Sequence, residues 1–193
     1  MILIIQCGSL LATPDVGPPD FAGAKWIWDD NAGEQEGTWA FRKGFAFPAG
    51  KKPVAAKLAI TCDNRWTLYV NGYERGKSNS DPNSWKRPII VDLSEYLTIE
   101  QNAIAVEGTN TVPGPSGLLV KMKVAFEDGS RMELGSDESW ISTRKPEQDW
   151  QQTGFVAGDA WARVAVRGEH GIAPPGQVEF YPCLTKALNY ILW

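Results

Sequence analysis

The sequence is poor in histidine and cysteine, and this scarcity excludes several kinds of chemistry. Its 193 residues include one histidine and three cysteines. Cys7, Cys62 and Cys183 form no CxxC pair, so nothing indicates a zinc site. A Ser-His-Asp triad would have to use His170, but no G-x-S-x-G elbow is present, and we expect His170 to lie in a surface loop. Phosphate-loop, dinucleotide and HExxH motifs are also missing.

The chain also lacks a strong charge of one sign and a long apolar run. The net charge is -4 and the charges are dispersed, so the sequence shows neither a nucleic-acid footprint nor a polybasic membrane patch. No stretch reaches the roughly 18–20 apolar residues that span a bilayer. Residues 1–12 are apolar and resemble the remnant of a signal peptide, although a positively charged start is missing.

Tryptophan, in contrast, is abundant. The chain has nine tryptophans and is 43% hydrophobic, which is enough for a sizeable core. An indole ring offers a flat apolar face that can stack on a pyranose ring, and its N–H can donate a hydrogen bond. We expect about six of the nine to pack in the core, because tryptophan is highly buried on average, and two or three to be exposed.

Short alternating segments separated by turn residues predict an all-β fold. Residues 54–61 and 66–70 read as paired strands, and Asn71-Gly72 and Asp128-Gly129 are strong hairpin signals. Residues 92–97 suggest a short helical turn, and residues 163–166 a closing strand. We therefore predict one antiparallel β-sandwich of jelly-roll type over residues 21–176, between an N-terminal tail and linker (1–20) and a C-terminal tail (177–193).

The cysteine in the predicted sandwich and the two cysteines in the tails have different expected roles. Cys62 ends an apolar, strand-like run and is expected to be a buried free thiol. Cys7 and Cys183 both lie in the tails, where a disulfide between them is an alternative to two free thiols.

Five fragments in a fixed order resemble a known family. They are Ala24-Lys25-Trp26-Ile27-Trp28, Phe41-Arg42-Lys43-Gly44-Phe45, Asp63-Asn64-Arg65-Trp66-Thr67-Leu68-Tyr69-Val70-Asn71-Gly72, Asn102-Ala103-Ile104-Ala105-Val106-Glu107 and Ser136-Asp137-Glu138-Ser139-Trp140. Together they resemble the galactose-binding-like β-sandwich at the N-terminus of bacterial α-L-rhamnosidases and in related carbohydrate-binding modules. The (α/α)₆ catalytic barrel of the longer relatives has no counterpart here, so rhamnosidase activity is not carried over.

The resemblance implies a non-catalytic carbohydrate-binding module for a polysaccharide or its oligosaccharides, located extracellularly or in the periplasm. The module would be a monomer or part of a larger multidomain enzyme. One alternative is a structural or protein–protein interaction domain of a larger glycoside hydrolase. A small glycosidase also stays open, because 23 acidic residues could supply the two catalytic carboxylates that such an enzyme needs.

The same resemblance implies a calcium site. In the rhamnose-binding modules of this family an adjacent Asp-Asn pair helps to hold a calcium ion that contacts the sugar, and Asp63-Asn64 is similar to that pair. Calcium takes 6–8 oxygen ligands, which a sugar diol can complete. Glu107 and Asn110 are further candidate ligands for the ion or for sugar hydroxyls. The alternative is that Asp63 and Asn64 only form an Asx-type turn.

Two tryptophans are candidates for stacking on the sugar. Trp85 follows a polar loop and precedes Lys86-Arg87, which predicts at least partial exposure, although it could instead cap the edge of the sandwich. Trp39 could line the same end, with packing in the core as the alternative. Arg42 lies on a strand and could pair with a carboxylate beneath the sheet.

Overall fold

A computed structural model describes residues 15–32, 35–81 and 83–171. These residues form two antiparallel sheets, with one 3₁₀ turn at Ser84–Lys86 and no α-helix among them, which confirms the predicted antiparallel β-sandwich. The strands are β1 (Lys25–Trp28), β2 (Gly37–Ala46), β3 (Pro53–Asp63), β4 (Arg65–Val70), β5 (Tyr73–Lys77), β6 (Ile89–Asp92), β7 (Gln101–Asn110), β8 (Gly117–Phe126), β9 (Arg131–Gly135), β10 (Ile141–Thr143), β11 (Ala162–Arg163) and β12 (Ala165–Glu169).

The two sheets are built from strands that are distant in sequence. The first sheet has the order β12-β1-β8-β3-β6, and β9 pairs with β8 beside β1. The second has the order β11-β10-β2-β7-β4-β5. Central pairs such as β3 with β8 and β2 with β7 join segments about sixty residues apart, so the chain passes repeatedly from one sheet to the other.

The core lies between the sheets and follows the two-residue period of the strands. Leu58, Ile60 and Cys62 of β3 meet Ile104 and Val106 of β7, and all five are fully buried. Cys62 is a free thiol whose pKa burial raises well above its ordinary value, as expected for a cysteine that serves as a core residue.

The turns agree with the sequence prediction in the hairpins but not everywhere. Asn71 and Gly72 both have positive φ between β4 and β5, and Gly129 has φ 82° between β8 and β9. Residues 92–97 form a hydrogen-bonded turn, in which Tyr96 N donates to Leu93 O at 3.0 Å, rather than a helical one. The predicted closing strand is two short strands separated by the buried Val164.

Each sheet is also covered on its outer face. On the first sheet the segment from Asp15 to Ala24 places Val16 against Ala55 and Ala125, and Phe21 against Trp26. On the second sheet Trp150 and Trp161, from the loop between β10 and β11, pack on Ala40 and Ala105. The sandwich therefore has three small outer clusters besides the central core, two on the first sheet and one on the second.

Arg42 fixes the loop on the second sheet. Its side chain is buried, and its guanidinium donates to the carbonyl oxygens of Trp150 (3.0 Å), Gln152 (2.7 Å) and Thr153 (3.3 Å). The sequence suggested a carboxylate partner for Arg42. The partners in the structure are instead backbone carbonyl groups. Without Arg42, these carbonyl groups would lack the hydrogen-bond donors that buried backbone groups need.

Most tryptophans are structural. Seven of the eight in the described residues are buried, and Trp85 is the eighth. The register shifts between Trp26 and Ile27 in β1. As a result, the side chains of Ile27 and Trp28 point into the central core, while that of Trp26 packs in the outer cluster with Phe21. The bulge therefore lets one short strand bury both of its tryptophans.

Several predictions fall outside the described residues. They concern residues 1–14, the C-terminal tail (177–193), and the pair Cys7 and Cys183. In the described part of the chain, no helix has the length and apolar character needed to cross a membrane.

Candidate functional site

One end of the sandwich gathers most of the predicted site residues, and we call it the site end. It is the end at which β3 finishes at Asp63 and β7 finishes at Asn110. The strand register places Asp63 opposite Gly117 and Asn110 opposite Gly37, so four strand ends meet there. Loops held by a rigid sheet in this way are common binding sites.

Asp63 is the unusual ionisable group at the site end. It lies on the outer face of the first sheet, and burial raises the pKa of its carboxyl to about 6, although the positive charge of Lys86 acts in the opposite direction. Its Oδ1 accepts a hydrogen bond from Asn64 Nδ2 at 2.5 Å, and the peptide bond between the two residues is cis. No described group donates to its other carboxylate oxygen.

Asn64 joins the β3–β4 turn to the neighbouring loop. Its Oδ1 accepts from both the backbone N–H (2.8 Å) and the hydroxyl (2.9 Å) of Thr111, and its own N–H donates to Thr109 O at 3.0 Å. A carbonyl oxygen has two lone pairs, so Thr111 occupies both. Asn64 therefore has a structural role in this arrangement, whatever it does toward a ligand.

In Asn110 the side-chain nitrogen, rather than the side-chain oxygen, is hydrogen-bonded within the protein. Asn110 is buried, and its Nδ2 donates to the carbonyl oxygens of Gln35 (3.0 Å) and Gly114 (3.4 Å). No donor among the described residues reaches its Oδ1. Asn110 and Asp63 thus keep acceptor oxygens that the protein itself does not use.

Trp85 lies on the same outer face as Asp63. Thr61 and Asp63 are two residues apart in β3 and so point to the same side, and Thr61 Oγ1 donates to Trp85 O at 2.6 Å. The Trp85 ring packs against the cluster of Phe21 and Trp26, is half-buried, and has Lys86 Nζ 5.3 Å from its centroid. Trp85 therefore keeps part of its surface accessible to solvent.

The structure places Trp39 and Glu107 elsewhere. Trp39 is buried in the central core beside Trp28, with ring centroids 5.4 Å apart, and it lines a pocket between the β1–β2 and β10–β11 loops. Glu107 lies on the outer face of the second sheet, where Tyr69 Oη donates to its Oε2 at 3.4 Å. It therefore does not share a face with Asp63.

Three residues at or beside the site end were missed by the sequence reasoning. Thr111 orients Asn64, Lys86 provides the positive charge that acts on Asp63, and Arg144 lies over the Trp39 ring at 4.8 Å. Thr111 follows the candidate Asn110 directly and could have been included. Arg144 is more than a hundred residues from Trp39, and no local signal connects them.

Two oxygen atoms at the site end are of the chemical type that calcium binds. Asp63 Oδ2 and Asn110 Oδ1 are hard acceptors without a described donor, whereas Asn64 Oδ1 would have to leave Thr111 first. No cluster of three or more histidine, cysteine or acidic side chains in the described residues could hold a metal ion. An ion here would need backbone, water or sugar oxygens as well.

Comparison with known proteins relates the chain to one enzyme family and one lectin. It is 28% identical over 168 residues to the alpha-L-rhamnosidase of Streptomyces avermitilis, an alignment that covers 83% of this chain and 16% of the enzyme. The crystal structure of the Streptomyces avermitilis alpha-L-rhamnosidase complexed with L-rhamnose superposes with a TM-score of 0.75 at 27% identity, over 84% of this chain and 16% of that chain. No protein-family model matches the chain.

The lectin of Pleurotus ostreatus in complex with GalNAc has the same fold. It superposes with a TM-score of 0.71 at 27% identity, covering 81% of this chain and 47% of the lectin. These similarities confirm the resemblance to the galactose-binding-like β-sandwich of alpha-L-rhamnosidases. The chain spans about a sixth of the length of the rhamnosidase and just under half of the lectin.

Proposed function

We propose that the protein is a non-catalytic carbohydrate-binding module whose sugar site is the site end. The observation that carries this proposal is a pair of acceptor oxygens without a described donor, Asp63 Oδ2 and Asn110 Oδ1, at the ends of β3 and β7. Acceptors left open at strand ends that the sheets hold rigidly, beside connecting loops, favour a ligand there. The lectin complex with GalNAc and the rhamnosidase complex with L-rhamnose support a sugar as that ligand.

Calcium would make such a site stronger. Asp63 and Asn110 would hold the ion, and the ion would supply a positive charge that neutralises the half-buried Asp63 carboxylate and attracts sugar hydroxyls. The raised pKa of Asp63 supports this role, because burial raises it more than the positive charge of Lys86 lowers it. Asn64 would contribute by keeping Asp63 in place.

Trp85 would supply the apolar part of recognition. Its half-buried ring stands on the same face as Asp63 and is held from below by Phe21 and Trp26. Sugar hydroxyls exchange water for protein partners at a net gain of only about 0.5–1.5 kcal/mol per hydrogen bond. A few such bonds and one stacked ring correspond to dissociation constants on the order of 10 µM to 1 mM.

Titration calorimetry with L-rhamnose and GalNAc, in calcium and in chelator, tests the proposal. We expect weak binding that requires calcium, a loss of binding in Asp63→Ala, and a weakening of about tenfold in Trp85→Ala, as for one lost stacking contact. Tyr73→Ala is the matched control, because Tyr73 is an exposed aromatic residue on the edge strand β5. Release of reducing sugar from a polysaccharide would contradict a non-catalytic role.

A structural or protein–protein interaction domain is the second candidate. The observation that favours it is the short share of the rhamnosidase that the chain spans, 16%, which leaves most of such an enzyme available as a partner. A glycan array with calcium separates the two candidates. No bound glycan, together with a stable complex between this chain and a rhamnosidase catalytic domain, would favour the second.

A further inference from the structure

A second pocket lies beside the site end and has no part in the function proposed above. It encloses about 350 Å³ between the β1–β2 loop and the start of the β10–β11 loop, a size within the range of small-molecule sites. Residues of both loops, of β2 and of β10 line it, among them Asp29, Trp39, Ser142, Arg144, Lys145 and Ala160. The lining combines an aromatic floor with groups of both charges.

The acidic wall of the pocket is rigid. Asp29 is only 7% exposed; its Oδ2 accepts from Ser142 Oγ at 2.8 Å and its Oδ1 from the N–H of Asn31 at 3.0 Å. Arg167 Nη2 donates to the Asp29 carbonyl oxygen at 2.9 Å and fixes the backbone. Each carboxylate oxygen can still accept a second hydrogen bond, so Asp29 is an oriented acceptor for a hydroxyl group.

The cationic part of the lining is Arg144, which hydrogen bonds hold in place. Arg144 donates from Nη1 to Gln35 Oε1 at 3.2 Å and from Nη2 to Glu36 O at 3.0 Å, and its guanidinium lies 4.8 Å from the Trp39 ring centroid. These bonds use two of its five N–H groups. In the described part of the chain no carboxylate lies within ion-pair distance of Arg144 or Lys145.

Gly37 makes this position of Arg144 possible. A Cβ atom on Gly37 would lie 2.6 Å from Arg144 Nη2 and 3.2 Å from the Trp39 ring, and its φ of +146° disfavours other residues. The glycine therefore opens the space in which the arginine rests on the indole. The result is a preorganised cation with free donors at the rim of a pocket.

We propose that this pocket is a second, metal-independent carbohydrate subsite that accepts a hexuronate residue. The sugar carboxylate would pair with the free N–H groups of Arg144, with Lys145 as a second cation, because a guanidinium matches a carboxylate in a bidentate geometry. A ring hydroxyl would donate to Asp29. The subsite adjoins the site end, since Asn110 Nδ2 donates to Gln35 O and Gln35 in turn holds Arg144.

Binding of D-galacturonate, measured by ligand-detected NMR in chelator, tests this subsite apart from the proposed calcium site. We expect binding to wild type and to Asp63→Ala alike, and a loss of about tenfold in Arg144→Gln, the usual cost of one charge-assisted hydrogen bond. Arg144→Lys, which keeps the charge without the fork, should recover only part of the affinity. Arg131→Gln, which removes an exposed arginine on β9, is the matched control and should bind normally.

Two comparison ligands show which part of D-galacturonate the pocket recognises. D-galactose has the ring without the carboxylate, and acetate has the carboxylate without the ring; both should bind far more weakly than D-galacturonate. Equal binding of D-galactose would overturn the acidic specificity, and equal binding of acetate would reduce the pocket to a simple anion site. Normal binding by a folded Arg144→Gln protein would overturn the subsite itself.

Discussion

The two ends of the sandwich use the same turn residues with different results. At the end opposite the site end, which we call the turn end, Asn71 donates from Nδ2 to Tyr96 O and Asn102 Oδ1, both at 2.9 Å, and accepts at Oδ1 from Ala103 N at 2.8 Å. Its hydrogen-bonding groups are engaged within the protein. Asn110 at the site end has the same side chain, but its Oδ1 has no donor among the described residues.

The aspartates of the two ends show the same contrast between a side chain engaged within the protein and one that keeps an open acceptor. Asp128 at the turn end is held by Lys51 and by Ser130, and these hydrogen bonds lower the pKa of its carboxyl far below the ordinary value. Asp63 at the site end has a pKa raised to about 6 because burial is the dominant effect. Both follow common turn chemistry in sequence, and only their partners in the folded protein separate a structural aspartate from a candidate ligand.

The largest expected effect is an inverted pH dependence caused by Asp63. The pKa of its carboxyl is about 6 in the folded protein, against an ordinary value of 3.8 for an aspartate in an unfolded chain, so the folded state binds the extra proton between these values. The free energy of unfolding should therefore fall as pH rises from 4 to 7, by about 2 kcal/mol for this group, because solvent screens the exposed part of the carboxyl. Denaturant unfolding in chelator, compared with Asp63→Asn at each pH, isolates the contribution.

Asp128→Asn provides the contrasting control. The lowered pKa of Asp128 means that its contribution to stability is present at neutral pH and is lost as pH falls, which is the opposite sign. Identical pH profiles for wild type and Asp63→Asn would show that Asp63 is well solvated, and the contrast between the two ends would fail.

Asn71→Ala should produce the next largest effect, confined to stability. The change removes hydrogen bonds worth about 0.5–1.5 kcal/mol each and places alanine at φ 53°, so we expect a loss of about 2 kcal/mol in the free energy of unfolding. The affinity of the folded protein for sugar should not change. A chemical-denaturation curve and a titration of the same preparation measure both quantities.

Calcium should act only at the site end. An ion that binds the folded state alone raises the free energy of unfolding by about 1.4 kcal/mol at a concentration ten times its dissociation constant. Thermal melts in calcium and in chelator should show this shift for wild type and for Asn71→Ala. The shift should disappear in Asp63→Ala and shrink in Asn110→Ala; a full shift in Asp63→Ala would place the ion elsewhere.

The sequence predicted the fold well because its signals are local. Alternation and the Asn71-Gly72 and Asp128-Gly129 turns depend on neighbouring residues, and the structure has both hairpins where they were expected. The outer coverings could not be predicted in the same way. Arg42 bonds to carbonyl groups 108 or more residues away, and no local pattern shows that a loop will lie over it.

The candidate site was predictable only as a set of residue types. Asp63, Asn64 and Asn110 do meet at one end, because the strand ends that carry them are adjacent in the two sheets. The roles within the set depend on hydrogen-bond partners: Thr111 occupies Asn64 Oδ1, while Asn110 Oδ1 has no described donor. Trp39 and Glu107 show that residue type alone does not predict membership of the site. A polar or aromatic residue near a strand end can still face the core or the outer side of the other sheet.

The smallest expected effect concerns Val16, which covers the turn end. Val16 is 5% exposed and packs on Ala55 and Ala125, near the start of β3 and the end of β8. Val16→Ala removes buried methyl groups from a small outer cluster that can partly close over the gap, so we expect a loss of about 1 kcal/mol in the free energy of unfolding. Sugar and calcium affinities should stay at wild-type values, because the site end lies at the other extreme of β3. A denaturant titration together with calorimetry measures both, and a weakened affinity in a fully folded Val16→Ala protein would mean that the two ends are coupled through the first sheet.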